Sequence, residues 1–389
     1  MGNVVVVLTH YPAVEGRSMA AYRQLLAEGL AERGWAVRCR TAPVLLGRLA
    51  PAGSGAVKWL GYVDQLLIFP LLLALEQRRW PAGTRLLVSD QALGPWVPLI
   101  RHRPHLIICH DLLALRASRG EFPQQPVGLS GRLYQHLIRW GFRQGHNFAA
   151  VSAASAAELA RELAPRRPPI QVLANPLAPG LRPLDPEQSV RILIKLSAPL
   201  AKAPFLLHVG GYWYKNREGV LAVFRTLLRR RPELRLVLVG HLEAPARAAL
   251  AADPAVAAAT VQLSGVEADA LQALYSAAAA LLFPSWWEGF GWPVLEALAC
   301  GCPVITTDRA PMNEVGGGAA TYLPPCPNEP ARRDAWILQA AAVVEGVLAR
   351  DPAEQQHWRA QGLAQAERFN RDNWQNQLVE ALERAELQS

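Results

Sequence analysis

Residues 285–304 read SWWEGFGWPVLEALACGCPV, and two carboxylates, Glu288 and Glu296, stand eight positions apart around a turn with Gly289 and Gly291. An apolar run of strand type, 280–283, precedes the turn. Pro293 suits the start of a helix, where its missing N–H costs nothing, and Gly301 stops that helix. The string therefore predicts strand, glycine loop, helix. Glu288 falls in the loop at the strand's carboxyl edge, and Glu296 falls in the helix's first turn. Glycines let a backbone approach a ligand closely, and a helix start favours an anion such as phosphate. The plainer alternative makes Glu288 a turn residue and Glu296 a charge favoured by the helix dipole.

Outward from this string, strand-length apolar runs alternate with helical patterns. The run 4–9 is a continuous apolar stretch, of the kind a parallel strand covered on both faces carries. Further strands are expected at 36–40, 85–89, 106–109, 148–151 and 170–173. The pattern then restarts at 205–209, 234–239, 261–264, 280–283 and 304–307. Prolines at 179, 183, 186, 199 and 204 mark the break between the two series. A chain of 389 residues is also too long for one ordinary core. The expectation is α/β: two doubly wound Rossmann-like domains facing across a cleft, at 1–182 and 205–365. A linker is expected at 183–204 and a last segment at 366–389. Ligands of open parallel sheets bind off the carboxyl ends of the strands, which is where Glu288 falls.

Composition narrows the class. Apolar residues make up 51% and charged residues 19%, as in a globular protein. Five scattered cysteines, an odd number without paired CxxC motifs, argue against a disulfide framework or a zinc site and fit a reducing cytoplasm. The start, MGNVVVVLTHYP, reads as a buried first strand rather than a leader. The net charge of +8 comes largely from small arginine clusters. Their plain reading is solvated helix ends. The sharper one is peripheral contact with an anionic membrane on the inner face, or an acidic substrate. No recognition motif accompanies the charge, so nucleic acid is not expected. Segment 57–80, with Trp59, Tyr62 and Phe69 flanked by Lys58, Arg78 and Arg79, could dock on lipid. An amphipathic helix followed by a core strand is the reading preferred at this stage.

The string Glu-Gly-Phe-Gly-x-Pro-x-x-Glu-Ala-x-Ala-x-Gly-x-Pro-Val from Glu288 to Val304 resembles the signature of the family-four (group 1) retaining glycosyltransferases of the GT-B fold. Other pieces are similar to the family in the same order. They are Ile108-Cys109-His110-Asp111, Ala150-Val151-Ser152-x-x-Ser155, Asn175-Pro176, Val209-Gly210-Gly211 with Lys215-Asn216, Val239-Gly240, Ser264-Gly265-Val266 and Pro311-x-x-Glu314. The resemblance covers about residues 1–325, and 369–374 with the helix after it resembles the family's C-terminal helix that crosses back to the first domain.

The resemblance implies a UDP- or GDP-linked sugar as donor and no separate cofactor. Glu288 would touch hydroxyls of the donor sugar, and Gly289, Phe290 and Gly291 its phosphate and sugar. Glu296 would accept from both ribose hydroxyls, since a carboxylate takes two hydrogen bonds at once from a diol. Lys215 would neutralise the leaving diphosphate, and Gly211, in the same loop, would join in binding the donor. His110 would lie near the reacting centre. Asp111 would orient it or bind the acceptor, or else cap the following helix. Where the family carries a glycine pair after the first strand, close to the donor phosphate, this chain has Arg17 and Ser18, with Gly16 before them, so a charge and a hydroxyl would bind the donor there. The family's arginine before the lysine is absent, and Arg217 is a candidate substitute. The expected reaction moves a hexose to an acceptor hydroxyl on a glycan, lipid-linked sugar or small molecule, with retention and without metal. The rivals are a sugar-phosphate synthase, phosphorylase or hydrolase on the same scaffold, and a non-catalytic sugar-nucleotide binder.

Overall fold

The computed structural model describes residues 3–13, 16–49 and 55–387. They form two compact units, 1–175 with 371–389, and 176–370.

The first unit carries six parallel strands: β1 (Val4–Leu8), β2 (Ala36–Arg40), β3 (Arg85–Val88), β4 (His105–Cys109), β5 (Phe148–Ala150) and β6 (Ile170–Val172). Their order is β2-β1-β3-β4-β5-β6. Val5 to Leu8 are fully buried, because helices cover both faces of the sheet. Edge strand β2 (AVRCR) is instead polar and largely exposed, which blunts the open edge. The strand order runs outward from β1 to β2 on one side and to β3 on the other, so the topological switch lies between β1 and β3.

The second unit repeats the plan with β7 (Phe205–Val209), β8 (Arg235–Val239), β9 (Thr260–Leu263), β10 (Ala280–Phe283), β11 (Val304–Thr307) and β12 (Ala320–Leu323). The order β12-β11-β10-β7-β8-β9 puts the switch between β7 and β10. Leu206, Leu236, Leu282 and Ile305 from the strands pack with Phe224, Trp336 and Val344 from the covering helices.

Three expectations need correction. Residues 183–204 are not a linker: Pro186 opens helix Pro186–Leu196, and the Asp185 side chain accepts from the Glu187 and Gln188 amides. A proline at the first helical position starts a helix rather than breaking one, and the units part at 175 instead. The final helix begins at Arg371 rather than 366, while it groups with the first unit, the one to which the expectation had it cross. There Trp374 is buried against Gly29, and Arg371 meets Glu32 at 2.8 Å. Segment 57–80 holds no core strand; it lies in one helical run, Gly55–Arg79, largely exposed.

The tightest backbone crossing in the first unit joins helix Leu129–Phe142 to the turn Gln91–Trp96. A Cβ on Gly141 would run into the Gly94 carbonyl, and one on Gly94 into the Ile138 carbonyl. Backbone cannot step aside as a side-chain tip can. Gly141→Ala should therefore cost about 1–3 kcal/mol through overpacking and lower the melting temperature by several degrees. A thermal scan showing no loss would mean the helix can slide.

Candidate functional site

Lys215 and Glu288 come from the loops that follow β7 and β10, on either side of the second unit's switch point. Lys215 Nζ meets Glu288 Oε1 at 2.6 Å, with the two side chains 9% and 7% exposed. The ammonium also lies 4.7 Å from the Phe283 ring centre and 5.3 Å from that of Tyr214, a favourable place for a desolvated cation. Gly210 makes this possible: it has φ +110°, and a Cβ there would sit 2.8 Å from Lys215 Cε.

The two loops are held rigidly. The Trp286 amide donates to Tyr214 O at 2.8 Å, and Asn216 Nδ2 to Pro284 O at 3.2 Å. Asn216 itself takes a left-handed conformation and caps helix Arg217–Leu228 by accepting from the Gly219 amide. From the other side, the Thr306 and Thr307 hydroxyls donate to Phe283 O and Ser285 O, each at 2.8 Å. Gly291, at φ +102°, is the left-handed entry to helix Trp292–Ala299, whose start carries no side-chain cap. A Cβ on Gly291 would make only an ordinary contact with Val294 at 3.9 Å, so the glycine answers to backbone conformation rather than crowding.

Glu296 is half-buried on that helix, and its Oε2 accepts from the Tyr275 hydroxyl at 2.7 Å. Burial raises the Glu296 pKa above the ordinary carboxylate value, against the lowering pull of that hydrogen bond and of Lys215. Burial and the carboxylate drive the Tyr275 hydroxyl far above its own usual value. Tyr275 had no signal in the sequence, because it stands twenty-one residues away on another helix.

Other expected site residues turn inward. The Phe290 ring is buried edge-on to Trp292 and Phe369. Gly211 is pressed against the His241 backbone, where a Cβ would collide. Arg217, the candidate phosphate arginine, is buried and donates to the carbonyls of Val239 and His241. Burial lowers its pKa to about 10. It stitches the loop after β8 to the helix after β7 and does not present a free guanidinium. Among the described residues no three His, Cys, Asp or Glu side chains gather as a metal requires. A cavity of about 570 Å³ opens elsewhere in this unit, past Pro204, Ala279 and Pro303 before β7, β10 and β11. It contains none of these residues and lies at the wrong end of the strands for a switch-point ligand.

In the first unit His110 follows β4. Its Nε2 lies 3.0 Å from Ser89 O, and since a carbonyl only accepts, the proton sits on Nε2 and Nδ1 is the accepting nitrogen. The ring meets Tyr22 edge-on at 4.5 Å, and burial lowers its pKa, so it is neutral at pH 7. Asp111 Oδ1 accepts from the Leu113 amide, the helix-capping alternative. Gly16 caps helix Arg17–Glu32 without a side chain, and Ser18 is exposed in its first turn. The Arg17 side chain lies outside the described residues. Two residues the sequence reading missed join this end of the sheet. His10, after β1, holds Asp90, after β3, at 3.0 Å across the switch point. Burial would raise the Asp90 pKa, but the hydrogen bond and charge of His10 bring it down overall. The available signal was that β1, β3 and β4 each leave the sheet through a polar residue: Thr9-His10, Ser89-Asp90, His110-Asp111.

Residues 195–321 match the family described as glycosyl transferases group 1. The O-antigen chain mannosyltransferase B of Escherichia coli is 36% identical over 108 residues, 28% of this chain and 26% of that protein. The matched stretch thus spans about a quarter of that relative's length. Sucrose-phosphate synthase from Thermosynechococcus elongatus superposes with a TM-score of 0.76 at 19% identity, covering 100% of both chains. HepE of Anabaena, solved with UDP and glucose, gives 0.71 at 16% identity over 98% of this chain and 99% of its own. The similarity to the group 1 glycosyl transferases thus lies in residues 195–321, and the fold is the GT-B fold of these solved proteins.

Proposed function

We propose that the protein transfers a hexose from a nucleoside-diphosphate sugar to an acceptor hydroxyl. The observation that carries this reading is the Lys215–Glu288 pair at the switch point of the second sheet, beside the Gly291 entry to a helix. Opposite charges so placed suit a ligand that is anionic at one end and polyhydroxylic at the other. The donor's diphosphate would draw Lys215, and its sugar hydroxyls would turn to Glu288. The ammonium then stands where charge builds on the leaving phosphate, and a fixed cation in a dry site stabilises that charge without reorganising. The carboxylate faces the ring carbon that gains positive charge. HepE, which shares the fold, is solved with UDP and glucose, in keeping with a nucleotide sugar here.

Glu296 is assigned to the ribose, its Oε2 held by Tyr275. His110 is assigned to a substrate hydroxyl, which its unprotonated Nδ1 would accept. We assign a retaining, front-face displacement in which the leaving phosphate takes the acceptor's proton. With Lys215 as counter-charge, turnover should survive EDTA; loss on chelation with recovery on added magnesium would count against that assignment.

The two glutamates should fail differently. Glu296→Ala removes a contact made equally in ground and transition states, worth about 1.5–3 kcal/mol, so donor KM should rise roughly tenfold to a hundredfold. Glu288→Gln keeps an oxygen for Lys215 but removes the charge, so kcat should fall by about 10²–10³ with little change in KM. Steady-state kinetics with UDP- and GDP-hexoses decide. Two variants that both lose only donor affinity would reduce Glu288 to a binding residue, and failure of every such sugar to bind in calorimetry would end the transferase reading.

Stability offers a separate readout. The folded-state pKa of Glu296 is raised, so its ionised form opposes folding once the pH passes the ordinary Glu value of 4.5. Glu296→Gln should therefore melt higher than the native chain at neutral pH without donor. That gain should fade as pH falls and vanish below 4.5, where both states are protonated. A variant that melts lower at neutral pH would show the carboxylate to be a structural asset.

A further inference from the structure

The helical run Gly55–Arg79 is long and apolar enough to cross a membrane by length and composition, with mean hydropathy 1.4, yet only 22% of its apolar window is buried. Trp59, Leu67, Leu71 and Leu75 recur at helical spacing along its outer side. Leu129, Leu133 and Trp140 form a like stripe on helix Leu129–Phe142. All seven are between 56% and 79% exposed. The two helices meet through Tyr62 and Tyr134, whose rings lie 4.7 Å apart, with Trp59 edge-on to Tyr62 at 5.8 Å. The stripes thus belong to one side of the first unit, a larger apolar patch than scattered surface leucines make.

The inner side of Gly55–Arg79 is committed to the protein. Asp64 is buried in its π-helical turn and accepts from Tyr11 Oη at 2.7 Å and from the amides of Leu45, Leu46 and Gly47 at 3.0–3.1 Å. The Trp96 indole donates to Gln65 O at 2.8 Å. To span a bilayer, the helix would have to strip these bonds from a buried carboxylate, so it lies on a surface instead. The charge around it has one sign. Arg48, Lys58, Arg78, Arg79 and Arg132 are exposed around the stripes. The two acids of Gly55–Arg79 are taken up, Asp64 as above and Glu76 by Arg40 at 2.8 Å, and helix Leu129–Phe142 has none.

We infer that this side of the first unit docks on an anionic phospholipid surface. The leucines and tryptophans sit at the acyl boundary, and the cations sit among the headgroups. A second copy of the chain is the poorer occupant: a twofold contact sets the same patch against itself and would bring these cations together. The inference stands independently of the transferase reading.

Co-sedimentation tests it with the full chain. The native protein should pellet at low salt with phosphatidylglycerol–phosphatidylcholine vesicles about tenfold more than with pure phosphatidylcholine, and it should be released as salt rises, since exposed charges are screened within about 8 Å at physiological ionic strength. The triple change Leu67→Ser, Leu71→Ser, Leu75→Ser, the pair Leu129→Ser, Leu133→Ser, and the charge reversal Lys58→Glu, Arg78→Glu, Arg79→Glu should each cut binding about tenfold or more. Each substitution lies on the surface, so circular dichroism should be unchanged. Absence of native binding, variants that bind as well as native, or retention through high salt and an alkaline wash would each overturn the proposal. So would a leucine variant that turns an oligomer into a monomer in sedimentation velocity while binding vesicles unchanged.

Discussion

Where the strand order of a parallel sheet reverses, two neighbouring strands send their following chain to opposite faces, and no helix can close the gap between their ends. That constraint fixes what the second unit can do. β7 and β10 are the strands in question, and everything between their carboxyl ends must be supplied by loops. The loops are tied by backbone and side-chain bonds through Tyr214, Asn216, Trp286 and the two threonines of β11. Into this frame come one lysine and one glutamate, almost dry and 2.6 Å apart. Removing either charge alone would strand the other, a loss of about 3–5 kcal/mol for buried pairs. The pair therefore balances its own charge. A ligand can separate the partners only by offering each a replacement, which filters for molecules bearing both an anion and hydroxyls.

The same constraint in the first unit gives different chemistry. Across β1 and β3 the partners are an imidazole and a carboxylate, His10 and Asp90, with His110 on the next strand. Here the fold fixes protonation more than charge. The Ser89 carbonyl holds the His110 proton on Nε2, and burial lowers its pKa. Its unprotonated Nδ1 can only accept. Such a nitrogen orients a hydroxyl and serves poorly as a proton donor.

What the sequence made legible was whatever a short string can encode. Glu288, Glu296, Gly289 and Gly291 lie within nine residues, and Lys215 follows its strand by six, so their places on strand ends could be read directly. Roles that depend on what packs from elsewhere could not. Arg217 looked like a free cation and is consumed by the carbonyls after β8. Gly211 looked like a ligand cradle and is held against the His241 backbone. His10, Asp90 and Tyr275 needed strand order before their neighbours were known. The run at 183–204 misled because proline reads as a breaker, whereas Asp185 before Pro186 makes it a starter. Segment 57–80 misled differently: leucines at helical spacing say that one side is apolar, not that this side is covered.

Several polar groups of the second unit are buried at a cost. Among the described residues, Arg217 Nε and His208 Nε2 are buried without a hydrogen-bond partner. His208 is forced neutral, its pKa lowered to about 3 by burial, while its Nδ1 donates to Leu282 O at 2.9 Å. Glu296 sits ionisable where burial opposes its charge. A sheet selected only for stability would fill these positions with leucine and valine, as it does one residue away at Leu207 and Leu281. Ser189 Oγ and Ser285 Oγ of this unit are buried without a partner too, so the cost is not confined to the strand ends, and of these groups only half-buried Glu296 keeps access to solvent.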